Sequence, residues 1–73
     1  MEKSLDQKIS ENIKFEIEHS GKKKKDIAAA MGIKAPSLTA YCTGESQPTL
    51  ANLSRLCSVL GVSADDILEV KKD

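Results

Sequence analysis

Residues 22–44 read Lys22-Lys23-Lys24-Lys25-Asp26-Ile27-Ala28-Ala29-Ala30-Met31-Gly32-Ile33-Lys34-Ala35-Pro36-Ser37-Leu38-Thr39-Ala40-Tyr41-Cys42-Thr43-Gly44, and this stretch decides the fold. Ile27, Ala28 and Met31 recur at helical spacing, which predicts a short helix with those three residues on its inner face. Three consecutive alanines favour helix and let a neighbouring helix come close. Gly32 stops it, Ile33 and Lys34 leave only a tight connection, and Pro36 stands where a first-turn proline starts a further helix. Leu38 and Tyr41, three apart, give that helix an inner face, and Gly44 closes it. The result is a pair of short helices, about residues 24–31 and 35–43.

The flanks are helical too. Ser4 with Gln7 three residues later is a capping box that places a helix start near Leu5. Leu5, Ile9, Ile13 and Ile17 recur every four residues and predict one buried stripe running to about His19. Phe15 lies off the stripe, exposed or set against a subunit or tail. Gly21 suits the left-handed residue that ends a helix. On the other side, Glu45-Ser46-Gln47-Pro48 is a loop, and Thr49 can cap a helix with an apolar stripe of Leu50, Leu53, Leu56, Cys57 and Leu60. Gly61 stops this helix. Ser63 with Asp66 starts a last short one, with Ile67, Leu68 and Val70 facing inward and Lys71-Lys72-Asp73 as a frayed end. Sustained two-residue alternation is absent, so the expected architecture is all-α: one compact five-helix domain over residues 1–73, its core about 5–70.

At 73 residues there is room for one domain. Such a domain buries only about 60% of the surface of its unfolded chain, so the core is modest. One Phe, one Tyr and no Trp argue against a single-strand binder with aromatic stacking platforms. The longest apolar run, Ile27 to Met31, is five residues and too short for a bilayer. Met1-Glu2-Lys3-Ser4-Leu5-Asp6 lacks the apolar segment of a secretory leader. Cys42 and Cys57, with His19 far away, make neither a disulfide framework nor a zinc site, and read as small buried thiols. No metal, cofactor, membrane or small-molecule substrate is expected. The serines and threonines lack His/Asp partners and there is no glycine-rich phosphate loop, so no enzyme is expected. His19 reads as a favourable residue at a helix C-terminus.

The formal charge is zero, with 11 basic and 11 acidic residues, but the distribution is uneven. Residues 1–21 carry −2, residues 22–34 carry +4 and residues 35–73 carry −2. By spacing alone the helices at 24–31 and 35–43 form a helix-turn-helix, with small Ala28 and Gly32 at the crossing. The lysines concentrate at the start of its first helix, where side-chain charge and free backbone N–H groups both attract an anion.

From Ile9 to Leu68, four-fifths of the chain, the sequence resembles the Cro/repressor-type (XRE-like) helix-turn-helix family of phage and bacterial transcription regulators. The matching pieces are Ile9-Ser10-Glu11-Asn12-Ile13, Asp26 to Ile33, Ser37 to Gly44, Pro48-Thr49-Leu50-Ala51-Asn52-Leu53, and Leu56 to Leu68. The resemblance implies a five-helix domain whose third helix enters the DNA major groove, binding palindromic operators as a homodimer. It assigns Lys24, flanked by Lys23 and Lys25, to backbone phosphates. It assigns Lys34, Ala35, Pro36, Ser37, Thr39 and Ala40 to base edges or flanking phosphates. Thr43 and the loop through Ser46 and Gln47 fall to the opposite backbone, while Ile27, Ala28, Ile33, Leu38 and Tyr41 hold the two helices together. Leu50 to Leu60 and the C-terminal helix are the implied dimer surface.

Two departures stand out. Lys23 and Lys24 replace the family's Ser or Thr cap and following Gln, which loses about 1 kcal/mol of capping and gains phosphate-seeking charge. The presumed reading face has no Arg, Asn or Gln, the side chains whose paired hydrogen bonds discriminate bases by about 1–3 kcal/mol each. The expected function is a sequence-specific double-stranded DNA-binding regulator, a repressor, in the cytoplasm of a bacterium or encoded by its phage. The alternative on the same fold is a protein-interaction module, such as the antitoxin of a toxin–antitoxin pair, with a protein partner.

Overall fold

The computed structural model describes residues 3–69, so Val70 and the Lys71-Lys72-Asp73 end lie outside the described residues. Five helices follow in order: α1 Leu5–His19, α2 Lys24–Met31, α3 Ala35–Thr43, α4 Leu50–Leu60 and α5 Ala64–Leu68. No strand occurs among the described residues.

The helix starts follow the local chemistry. At α1 the Gln7 N–H donates to Ser4 Oγ at 3.2 Å, and the Ser4 N–H donates back to Gln7 Oε1 at 3.0 Å. Thr49 caps α4, accepting from the Asn52 N–H at 3.1 Å. At α5 the Ser63 N–H donates to Asp66 Oδ2 at 3.2 Å. Gly32, Gly44 and Gly61 end α2, α3 and α4 in the left-handed conformation, the state a Cβ disfavours.

Each helix buries one stripe in a shared core. Ile13 and Ile17 come from α1, Ile27, Ala28 and Met31 from α2, and Leu38, Tyr41 and Cys42 from α3. Leu53, Leu56 and Cys57 come from α4 and Ile67 from α5. α1 packs on α3 and α5, α2 on α3 and α4, and α4 also meets α5. The radius of gyration is 11.7 Å, close to the roughly 11 Å expected of a close-packed chain of this length.

Two leucines depart from the expected stripes. Leu5 is 57% exposed and Leu50 is 85% exposed. Each is the first residue of its helix, so its side chain overhangs the last packed turn while the residues one turn further in are covered. Ser10 is the opposite case, a hydroxyl on the α1 stripe that is only 3% exposed.

Two hydrogen-bond ties cross the core boundary. Asn12 Nδ2 donates to the Ile67 carbonyl at 2.9 Å and to Glu69 Oε2 at 2.8 Å, fastening α1 to α5. Glu69 follows α5 with φ +56, a left-handed state that non-glycine residues adopt at a cost. The second tie runs from α3 to α4: Asn52 Nδ2 donates to Tyr41 Oη at 3.1 Å, and Arg55 donates to Asn52 Oδ1 at 2.9 Å.

Candidate nucleic-acid interface

α2 and α3 form the helix-turn-helix. Gly32 closes the turn with φ +75, its N–H bonded to Ala29 O at 3.1 Å and the Ile33 N–H to Ala28 O at 3.0 Å. Ile27, Ala28 and Leu38 are almost wholly buried, Tyr41 is buried and Ile33 is half-buried. The residues expected to hold the pair together therefore do so.

The starts of these two helices differ from those of α1 and α4. α1 and α4 have side-chain caps from Ser4 and Thr49, and Ser63 opens α5. Lys23 holds the capping position before α2 and Lys34 that before α3, and neither start has a side-chain cap. The first N–H groups of a helix lack intrahelical partners, and the positive end of the helix dipole lies there. Around α2 this is joined by Lys22, Lys23, Lys24 and Lys25, all exposed, and at α3 by exposed Lys34. Both starts thus combine uncapped N–H groups with exposed positive charge.

The remaining candidate residues lie along α3 and just beyond it. Pro36 and Thr39 are exposed on the side away from Leu38, Tyr41 and Cys42, Ala35 and Ser37 are exposed in the first turn, and Ala40 is half-buried. Thr43 is exposed at the last turn, but its hydroxyl is engaged, donating to Ala40 O at 3.2 Å and accepting from the Glu45 N–H at 3.4 Å. The Ser46 N–H also closes on Ala40 O, at 3.3 Å. Gln47 is exposed, with its amide turned back to donate to the Asp6 carbonyl at 3.4 Å. The structure gathers Ala35, Pro36, Ser37 and Thr39 on one helix, with the Ser46-Gln47 loop tied to both α3 and the start of α1.

Sequence reading missed the contribution of α1. Ser10 and Lys14 share its face toward the end of α3, where they line a polar recess with Gln7, Cys42, Thr43 and Gly44. Burial pushes the Cys42 thiol up from its ordinary pKa, and the positive charges of Lys24 and Lys14 oppose that while Glu18 reinforces it. Lys14 thus acts on the Cys42 thiol in the same sense as Lys24, in a recess that Asp6 and Glu11 also line. Its four-residue spacing from Ser10 was the available signal. Burial, with Asp66 adding to it, likewise raises the Cys57 thiol. Both cysteines are free and buried.

Phe15 is 53% exposed and stacks on His19 at 3.9 Å, one turn along the same helix. The His19 Nδ1–H donates to the Phe15 carbonyl at 2.8 Å. A separate, apolar groove runs between α4 and α5, lined by Leu50, Leu53, Cys57, Val62 and Leu68. No helix among the described residues is long and apolar enough to cross a membrane.

Comparison with known proteins agrees with this architecture. The replication factor C small subunit of Methanocaldococcus jannaschii is 24% identical to this chain over 70 residues, 96% of the chain. The chain spans only 4% of that relative's length. No solved structure matches. The helix-turn-helix family matches over residues 13–67, three-quarters of the sequence and every helix from the middle of α1 into α5. With the turn at Gly32 and the five-helix core in place, the chain belongs to the helix-turn-helix family of the Cro/repressor type.

Proposed function

We propose that this chain is a sequence-specific regulator of transcription that binds double-stranded DNA, and that it represses by occupying promoter DNA in the bacterial cytoplasm. In this reading α3 enters the major groove. Lys23, Lys24 and Lys25 neutralise phosphates on one side, while Thr43, Ser46 and Gln47 approach the other backbone. One observation carries the proposal: of five helices, the two that make up the motif have a lysine at the capping position and no side-chain cap. Without a capping hydroxyl, which would occupy one of the first N–H groups, each start keeps its full set for a phosphate.

Two copies act together on a palindromic site. The support for this is Leu50, 85% exposed beside the α4–α5 groove, an arrangement that a two-fold related copy could cover. The same groove, together with an α3 that lacks guanidinium and amide groups, favours the alternative of a protein-interaction module such as an antitoxin.

The test is fluorescence anisotropy of the purified chain on its own upstream DNA and on a scrambled duplex, each at two salt concentrations. Specific binding at least ~10³-fold above the scrambled duplex is the expected result. Lys24→Glu lowers affinity for both duplexes and flattens the salt slope by about one unit. Unchanged affinity after charge reversal across Lys22–Lys25 would remove the proposed surface. Weak, equal and steeply salt-dependent binding to both duplexes would favour the protein-partner alternative.

A further inference from the structure

α3 has an unusual inventory for a helix that reads bases. Between Ala35 and Thr43 there is no charged side chain and no amide. Leu38, Tyr41 and Cys42 are buried, which leaves Ala35, Pro36, Ser37, Thr39 and Thr43 exposed and Ala40 half-buried. The outward surface is therefore two alanine methyls, a proline ring, the Thr39 and Thr43 methyls and three short hydroxyls, of which that of Thr43 is engaged with Ala40 O and the Glu45 N–H. Lys34 places a charged group at the start of the helix.

This surface can be compared with what each base shows in the major groove. Guanine presents two acceptors that suit a two-pronged donor. Adenine presents an acceptor and a donor that suit a side-chain amide, and cytosine presents a donor that suits a carboxylate. Along α3 none of those side chains is exposed. Thymine alone adds an apolar group, its 5-methyl, which packs against alanine and threonine methyls. The hydroxyls of Ser37 and Thr39 bond to any base and so decide little. Short side chains also allow the helix backbone itself to approach the base edges, which a methyl-to-methyl contact requires.

We infer that the chain selects its DNA through thymine 5-methyl groups, with the carbon surface of Ala35, Pro36 and Thr39 as the specificity determinant. The inference rests on the DNA-binding reading above. Lys34 adds a phosphate or guanine contact at one end, and thymine positions define the rest of the site.

The test uses the full chain and four short duplexes: alternating A·T, the same with uracil for thymine, alternating G·C, and the same with 5-methylcytosine. Uracil differs from thymine only by the methyl, so the A·T duplex binds tighter than its uracil form, by about four-fold for each methyl covered. 5-Methylcytosine carries its methyl on the same groove-facing carbon, so it strengthens binding over plain G·C and separates methyl contact from any effect on duplex shape. Thr39→Ser keeps the hydroxyl and drops the methyl, and narrows the thymine-to-uracil ratio. Equal affinity for the thymine and uracil duplexes, with salt-dependent binding intact, overturns methyl reading and leaves DNA binding standing. Failure to bind any of the four at low salt overturns the DNA-binding reading itself.

Discussion

Gly44→Ala tests how α1 holds the end of α3, because Gly44 is the one helix-ending glycine with a neighbour in its way. At Gly32 (φ +75) and Gly61 (φ +70) an added Cβ meets nothing within 4 Å. There the substitution carries only the left-handed backbone cost of about 1–2 kcal/mol. Restricting the unfolded chain offsets about 0.4–1 kcal/mol of that, for a net loss near ~1 kcal/mol. Gly44 (φ +85) carries the same cost, and its new Cβ would also lie 3.3 Å from Ser10 Oγ. Ser10 is 3% exposed, so its side chain has to shift by a few tenths of an ångström within a largely buried site. Overpacking of that kind adds about 1 kcal/mol or more, so Gly44→Ala should cost about 2 kcal/mol in all. At roughly 4–8 °C per kcal/mol for a domain of this size, its Tm falls clearly further than that of Gly32→Ala.

Ser10→Ala supplies the control. The Ser10 hydroxyl is buried with no hydrogen-bond partner among the described residues, so its removal is neutral or stabilising by up to about 1 kcal/mol. In the double variant the tight contact is gone, and Gly44→Ala then costs no more than Gly32→Ala. The measurement is a double-mutant cycle by urea unfolding followed by circular dichroism. Equal losses at Gly44 and Gly32, or a clear loss of stability in Ser10→Ala alone, would refute the reasoning.

Two further outcomes are expected. Asn12→Ala removes the donor to Ile67 O and Glu69 Oε2; it should cost about 1–3 kcal/mol and release the α5 amides to hydrogen exchange ahead of α2 and α3, and unchanged α5 protection would contradict this. Leu50→Lys, at a side chain that is 85% exposed, should shift monomer stability by no more than about 0.5 kcal/mol. It should nonetheless weaken self-association in sedimentation equilibrium, and a variant that dimerises as well as the parent excludes the α4–α5 groove as the joining surface.

Much of the architecture is local and could be read directly. Helix starts at Ser4 and Thr49, stops at Gly32, Gly44 and Gly61, and the inner faces of α2 and α3 all follow from interactions spanning at most four residues. The exposure of Lys22–Lys25 and of the outer side of α3 was legible for the same reason: charged and small polar residues occupy positions left over once the apolar stripe is assigned. Even the missing caps at Lys23 and Lys34 are written in the residue types.

Tertiary packing decided the rest. Leu5 and Leu50 continue apolar stripes in sequence, yet each overhangs its helix neighbours, because how far a stripe is covered depends on where another helix ends. Ser10 is polar by composition but is sealed under Gly44, 34 positions away in the chain. The ties from Asn12 to α5 and from Asn52 to Tyr41 join segments that no periodicity connects. Lys14 sits among acidic residues in the sequence but acts with Lys24 on the Cys42 thiol. The sequence alone determined which helices form and which side of each is apolar, since backbone hydrogen bonding and side-chain spacing are local. Which polar groups are enclosed, which apolar groups stay outside and which charges act together depended on close approach between distant segments, and only the packed fold decided that.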